Sequence, residues 1–467
     1  MPKARPLEIY ALMPKSNCGK CGESNCMAFA IKLLDRSIEL NACVELDQPK
    51  YRDQKQKLTG LLELPIKEIV IGSGEKAVKI GGEEVMYRHE LTYNNPTAIA
   101  IDVDDEMTED ELLRRAKTVE EFQINRVGQI LRVNMIAIRN VSGQAGKFAE
   151  AVSFLVKNSK MPLILCSFDV NVLEAGLAAS KGMNPLIYAA TKDNWQRVGE
   201  QALAYDCPLA IFAPNDLKLL RSLSSSLMDM GVTNLVLDPG TFSDDGLSDT
   251  IDNFTMLRRA GVELGDKKLG FPLIGVPATV WVKDGRKNGL NEMKESYLAS
   301  MLLARYASIL IMHSSDSWAL LPVLTLRQNL YTNPRKPVAV ESGLKKLGEP
   351  DENSPVLVTS NFALTYYTVT SDIESTKISC YLLIVDTEGL SVQTSVAGKK
   401  FTASKVVDLI KSTGIEGMVK HRKLIVPGYA ARLKGDIEEL TGWEVLVGPI
   451  DSSGISAFLK ENWNLKA

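Results

Sequence analysis

Between Pro96 and Pro322 the apolar residues collect into eight short runs, TAIAIDV, NMIAIRN, PLILCS, PLIYAA, PLAIFA, TNLVLD, FPLIGV and SILIMH. Each has the length and β-branched content of a strand buried on both faces. The gaps of roughly 20–40 residues leave room for one helix each. Several gaps carry a 3.6-residue apolar period, as in GKFAEAVSFLVKNS and LKLLRSLSSSLMDMG. Eight successive β–α units predict a TIM (β/α)8 barrel, with an open doubly wound sheet as the other arrangement of the same pattern. Ahead of it, EIVIGSGEKAVKIGGEEVMY places Gly turns between short alternating runs, which predicts hairpins over 64–90.

A second, smaller series follows: PVLVTS, SCYLLIVD, LSVQTS, RKLIVPG and WEVLVG alternate with helical stretches such as TASKVVDLIKSTG and AARLKGDIEELTG. This pattern predicts a Rossmann-like, doubly wound α/β unit. Open sheets of that kind bind ligands outside the carboxyl ends of their strands, so TSNFALT, VDTEGLSVQTS, PGYA and VGPID should gather on one edge. The stretch RQNLYTNPRKPVAVESGLKKLGEPDENSP has the composition of a connector. The expected organisation is therefore a small domain over 1–60, the barrel with its hairpins over 61–326, a linker over 327–355 and the C-terminal unit over 356–467.

The chain has 467 residues, is 45% hydrophobic and carries a formal charge of −3. That is ample material for several cores, and the interspersed charges form no basic stripe for a phosphate backbone, which argues against nucleic acid as a partner. The apolar runs are far shorter than the roughly 20 residues a membrane span requires, and the first residues show no signal-peptide core. A cytoplasmic location is expected.

Of seven cysteines, Cys18, Cys21, Cys26 and Cys43 crowd the first tenth of the chain with the spacing C-x2-C-x4-C-x16-C. A tight cysteine group in a reducing compartment is a metal site more often than a disulfide framework. Four thiolates suit one cubane cluster, and the short CGKCG loop brings backbone amides near the sulfurs. Structural zinc usually pairs two CxxC knuckles, which the 16-residue gap does not provide, so the spacing favours iron–sulfur over zinc. Cys166, Cys207 and Cys380 lie in apolar runs and are expected to act as small hydrophobes.

PKSNCGKCGESNCMAFA at the N-terminus, ILCSFD, YAATKDNW and LVLDPGTF in the barrel, and TSNFALTYYTV, VDTEGLSVQTSVAGKKF and VPGYAARLKGDIEELTGWEVLVGP at the end together resemble the corrinoid iron–sulfur proteins of the acetyl-CoA decarbonylase/synthase complex, specifically their large (gamma) subunits. The resemblance spans nearly the whole chain. It implies a [4Fe–4S] cluster on Cys18, Cys21, Cys26 and Cys43 and a base-off cobamide on the C-terminal domain. It implies a methyltransferase component: the cobalt is the nucleophile, taking the N5-methyl group of a methyl-tetrahydropterin and passing it to the nickel site of acetyl-CoA synthase, while the cluster reductively reactivates Co(II). It further implies heterodimer formation with a smaller TIM-barrel corrinoid protein subunit and association with the acetyl-CoA synthase/CO dehydrogenase subunits and with the methyl-tetrahydropterin or its methyltransferase. Carried over by motif, the corrinoid contacts are Thr359 and Thr365, then Leu390, Ser391, Val392, Gln393 and Thr394, the turn Pro427, Gly428, Tyr429 and Ala430, and Gly448 with Pro449. Thr394 is expected nearest the cobalt, and no protein residue is expected to be catalytic.

The residues themselves agree with a base-off state, since none of His89, His313 and His421 sits in an Asp-x-His-x-x-Gly axial-ligand motif. A donor below the metal would stabilise its higher oxidation states. In the barrel, Asp169, Asn215, Asp238 and His313 fall at predicted strand ends, where capping of the next helix competes with function. Two other readings stand beside this one: an electron-transfer protein that uses the cluster alone, and an iron–sulfur barrel enzyme acting on a pterin without a corrinoid.

Overall fold

The computed structural model describes residues 5–34, 37–282, 289–334 and 337–463. Its strands are β1 (Ile69–Ile71), β2 (Val78–Ile80), β3 (Ala98–Asp104), β4 (Gln123–Arg126), β5 (Gln129–Arg132), β6 (Met135–Arg139), β7 (Leu163–Cys166), β8 (Leu186–Ala190) and β9 (Leu209–Phe212). They continue with β10 (Leu235–Asp238), β11 (Leu273–Gly275), β12 (Ala307–Met312), β13 (Gly343–Leu347), β14 (Val356–Ser360), β15 (Cys380–Val385), β16 (Lys423–Val426) and β17 (Glu444–Val447). The contacts divide the chain into two units, one of residues 1–123 and 132–331, the other of 124–131 and 332–467.

In the first unit, residues 5–34 and 37–62 fold as short helices around a core of Ile9, Met13, Phe29, Ala30, Leu33, Leu46 and Leu58, into which Cys26 and Cys43 are also packed. The eight expected runs are the eight strands of a closed parallel barrel, β3-β6-β7-β8-β9-β10-β11-β12, with β12 pairing back to β3. Alternate residues point inward. Ala98, Ala100, Met135, Ala137, Ile164, Leu186, Ala210, Val236, Ile274 and Ile309 fill the interior, and Ile69, Ile71 and Ile80 of the antiparallel β1–β2 hairpin join the same cluster. That hairpin is the one foreseen within 64–90. Because it plugs the amino end of the barrel, the carboxyl end is the one left for side chains with other work.

Helix Ser317–Leu330 belongs to the barrel, so the stretch read as a linker begins too early. Arg327 is buried and donates to the Thr97 and Arg132 carbonyls, at 3.0 and 2.7 Å, and to Asn134 Oδ1, at 2.6 Å. The same stretch also holds β13, which pairs antiparallel with β15 along Gly343–Leu347. Its two adjacent lysines disguise it as a loop, and they suit an edge strand, where charge discourages further pairing.

The second unit is a five-stranded sheet, β13-β15-β14-β16-β17, parallel apart from β13. β14 and β15 are buried along their whole length. One face packs Val356, Val358, Leu383, Phe401 and Trp443, and the other packs Leu357, Leu382, Ile384, Ile425 and Leu459. This two-sided burial is the mark of a doubly wound sheet. LSVQTS, which alternates like a strand, is instead a loop leading into helix Val392–Ala397, because the Ser391 side chain caps that helix by accepting from Thr394 N–H. Between β4 and β5, Val127 and Gly128 both have positive φ, as a two-residue hairpin turn requires. A Cβ on Gly128 would lie 2.0 Å from Tyr367 Oη, so only glycine permits that approach.

No helix among the described residues is long and apolar enough to cross a membrane.

Candidate functional site

Each unit carries one candidate site. In the first, Cys18, Cys21, Cys26 and Cys43 all line a single concavity, together with Asn17, Gly19, Lys20, Phe29 and Glu45. Gly19 and Gly22 adopt φ of 70° and 85°, which turns the loop sharply between Cys18 and Cys21 and again just after Cys21. Asn25 Oδ1 accepts from Met27 and Ala28 N–H at 3.0 and 2.8 Å, starting helix Cys26–Leu34, and Cys26 is its first residue. A thiolate there faces the positive end of the helix. Cys26 N–H is itself held by Asn17 Oδ1 at 2.9 Å. Burial pushes the Cys43 thiol up, while the amides of Leu46 and Glu45 aimed at it pull the other way. Four sulfurs around one hollow, with amides nearby, suit a multi-iron cluster whose ligands stand apart.

The remaining cysteines are as expected: Cys207 and Cys380 are buried and burial pushes their thiols up to about 12. Cys166 is likewise raised by burial.

In the second unit an open cleft runs along the carboxyl ends of β14, β16 and β17, enclosing about 1050 Å3 of space including the part open to solvent. Thr359, Thr365, Ser391, Val392, Gln393, Pro427, Tyr429, Gly448 and Pro449 line it. The three segments meet because Gly428 N–H bonds the Pro449 carbonyl at 3.0 Å and Gly448 N–H bonds the Val426 carbonyl at 2.8 Å. Leu390, Thr394, Gly428 and Ala430 lie in the same segments but are not among the residues that wall the cleft. Thr394 is exposed on the first turn of its helix, 3.1 Å from Ser391 Oγ. Ala430 is fully buried in the core.

Leu364, Ile450 and Asp451, which lie in the expected TSNFALT and VGPID segments but were not singled out as contacts, also line the cleft, and sequence reasoning missed Thr368, Ser452 and Ile455. Leu364, Tyr429 and Ile450 form an exposed apolar rim. Among the described residues the walls therefore combine hydroxyl groups, the Gln393 amide, the Asp451 carboxylate and apolar surface, and carry no imidazole, thiol or thioether. The unit's one histidine in the sequence, His421, lies before the amino end of β16, with Nε2 2.9 Å from the Ser354 carbonyl and its ring edge-on to Trp463.

At the carboxyl end of the barrel the four candidates separate. Asp169 is a cap, accepting from Asn171 and Val172 N–H at 2.7 and 3.2 Å. Asn215 accepts from Asn253 at 2.8 Å. His313 Nδ1 lies 2.6 Å from Asp102, which also pairs with Arg139 and Arg115. Burial alone would raise the Asp102 carboxyl, but His313 and the two guanidiniums hold it below the usual range. Asp238 is fully buried, accepting from Tyr188 Oη at 2.6 Å and Gly240 N–H at 2.8 Å, and burial raises it to about 6 against those two bonds.

A raised carboxyl means that the folded protein holds its proton where the unfolded chain has lost it. Stability contributed by Asp238 is therefore present below pH 4 and is lost as pH rises toward 6, by about 3 kcal/mol in all. Asp238→Asn, which keeps an acceptor for Tyr188, should lose none of it. The measurement is urea unfolding of both proteins from pH 4 to 7: the wild type should weaken relative to the variant across that window, and parallel profiles would refute the assignment.

A family model described as the CO dehydrogenase/acetyl-CoA synthase delta subunit matches residues 68–459, and an Fe–S cluster model matches residues 13–45. The chain is 48% identical over 453 residues to the acetyl-CoA decarbonylase/synthase complex subunit gamma of Methanothermobacter thermautotrophicus, covering 97% of this chain and 98% of that one. It is 46% identical over 462 residues to subunit gamma 2 of the same complex from Methanosarcina thermophila, covering 98% of each. Among solved structures it resembles dihydropteroate synthase from Xanthomonas albilineans, at 15% identity and a TM-score of 0.38, over 51% of this chain and 95% of that one. With near-full-length relatives of that identity, the chain belongs to the family of acetyl-CoA decarbonylase/synthase complex gamma subunits.

Proposed function

We propose that this subunit is the methyl carrier of its complex, holding a corrinoid in the C-terminal cleft and a [4Fe–4S] cluster on Cys18, Cys21, Cys26 and Cys43. The observation that carries the reading is the cleft itself. It opens outside the carboxyl ends of parallel strands, where such sheets take their ligands, and residues from three separate motifs converge on it. When bound, the corrinoid supplies a metal-centred nucleophile that takes the methyl group of a methyl-tetrahydropterin and yields it to the nickel site of acetyl-CoA synthase, and the cluster supplies a low-potential electron.

The chain's own residues bind and exclude. Thr359, Thr365, Ser391 and Gln393 offer hydroxyl and amide groups for the polar periphery of a corrin, while Val392, Leu364, Tyr429 and Ile450 cover its apolar surface. Gly448 keeps the floor open, because a Cβ there would lie 3.0 Å from Ile425 Cγ2. Among the described residues the cleft walls offer no imidazole, thiol or thioether, and both nitrogens of His421 are engaged at the other end of β16, with Nδ1 accepting from Lys423 N–H at 3.2 Å. These features support a corrinoid held without a protein axial ligand. At the other site the Leu46 and Glu45 amides aimed at Cys43 supply dipoles that stabilise negative charge on sulfur.

The test is cobalt, iron and zinc analysis with an absorption spectrum on anaerobically purified complex. About one cobalt and about four iron per chain are expected. Iron without cobalt after reconstitution with a cobamide would overturn the carrier reading in favour of electron transfer alone, and zinc in place of iron would overturn the cluster.

A further inference from the structure

The hollow that the four cysteines line carries charge as well as sulfur. Among the described residues, Lys20, Glu23 and Glu45 are the ionisable side chains that share its wall with the thiols. Glu45 belongs to the short 3-10 turn Val44–Asp47, whose Leu46 is buried as an anchor in the small core. Its carboxylate accepts from the Ser16 hydroxyl, a bond that joins the segment before Cys18 to the segment after Cys43. The same carboxylate reaches the Cys18 sulfur.

The three charges differ in how far they are countered. Glu23 pairs with Lys32 Nζ at 2.6 Å, so its charge is offset at contact. Glu45 is held by a neutral hydroxyl, and its lysine partner, Lys20, keeps Nζ 3.8 Å away. The Lys20 side chain is 62% exposed, against 16% for Glu45. Water and salt screen an exposed charge far more than a sheltered one, so inside the hollow the carboxylate outweighs the amine. The balance beside the sulfurs is negative before any electron arrives.

We infer that Glu45 sets the reducing power of the N-terminal centre: its sheltered carboxylate opposes the arrival of an electron on the cluster and so lowers the reduction potential. The inference rests on the cluster reading above and adds to it the residue that tunes the site. One-electron reduction makes and breaks no bond; it adds one negative charge, and a neighbouring carboxylate raises the energy of that charge. The Leu46 and Glu45 amides aimed at Cys43 act in the opposite sense. Glu45 thus presents two groups to the sulfurs, an amide that steadies a thiolate and a carboxylate that repels the added electron. A centre tuned in that way releases its electron readily, as reactivation of an oxidised cobalt requires.

The test is the midpoint potential of the cluster in the full chain, read from the EPR signal of the reduced form during anaerobic titration with Ti(III) citrate, with iron analysis of each sample. Glu45→Gln keeps the length of the side chain and an acceptor for Ser16 and removes the charge. The reduced form should then be favoured at least about tenfold, a rise of about 59 mV for one electron. Lys20→Gln removes the opposing charge and should lower the midpoint, by a smaller step because the amine is solvated. A loss of local shape would not move the two variants in opposite directions. About four iron per chain with an unchanged or lowered midpoint in Glu45→Gln overturns the proposal and leaves the cluster standing. A wild-type chain that holds zinc or no iron overturns the cluster reading, and the proposal with it. If Glu45→Gln takes up no iron, Ser16→Ala decides, since it keeps the carboxylate and frees it to turn toward solvent: a raised midpoint supports the proposal and an unchanged one overturns it.

Discussion

Replacing Cys26 with serine should abolish the N-terminal metal centre, taking iron from about four per chain to less than one. Cys26 is positioned by three independent features: it starts helix Cys26–Leu34, its amide is held by Asn17, and its side chain is buried beside Phe29. A serine hydroxyl fits that space but does not ligate iron as a thiolate does. The effect should extend beyond the metal. The core around Ile9, Phe29 and Leu58 is small, and domains of this size lean on metals or other crosslinks for stability. Limited proteolysis should therefore cut within residues 5–62 of Cys26→Ser and leave the barrel whole. Cys207→Ser, buried in the barrel, makes the converse control: it should cost stability and keep its iron. Full iron in Cys26→Ser would refute the four-cysteine assignment.

The eight barrel strands were legible because each is a short, unbroken apolar run that ends where the polar loops begin. Ile69, Ile71 and Ile80 were legible as hairpin residues, though not as the plug of the barrel, since only the closed sheet creates the end they fill. Two misreadings have local causes. Leu390 to Ser395 alternates like a strand, and the Ser391 cap overrides that pattern; Gly343–Leu347 pairs as a strand although its lysines read as loop. The cysteine group was legible from spacing alone. The cleft was legible where loops carry recognisable residues, such as Thr359, Pro427 and Gly448. Thr368 and Ile455 stayed hidden because their facing is set by how helices Ala363–Ser375 and Ile455–Asn462 pack on the sheet.

Thr365→Trp should empty the C-terminal cleft of corrinoid without unfolding the unit. Thr365 lies on the first turn of helix Ala363–Ser375, half-buried in the cleft wall. The larger ring would occupy space in the cleft, which Leu364, Thr368 and Ile450 also line, and filling an open cleft costs less than the 1–3 kcal/mol typical of overpacking a closed core. The melting temperature should therefore move by a few degrees at most. A corrin cannot share that space, so cobalt retained after reconstitution with a cobamide should fall at least tenfold, about 1.4 kcal/mol in binding. Iron should stay at its wild-type level, because the cysteines lie in the other unit. Thr365→Ser, which keeps the hydroxyl and adds no bulk, should bind as the wild type does. Stoichiometric cobalt in Thr365→Trp would show that the corrinoid lies elsewhere, whereas joint loss of cobalt and iron would point to unfolding. The pattern of cobalt lost and iron kept is the one that only an occupied cleft explains.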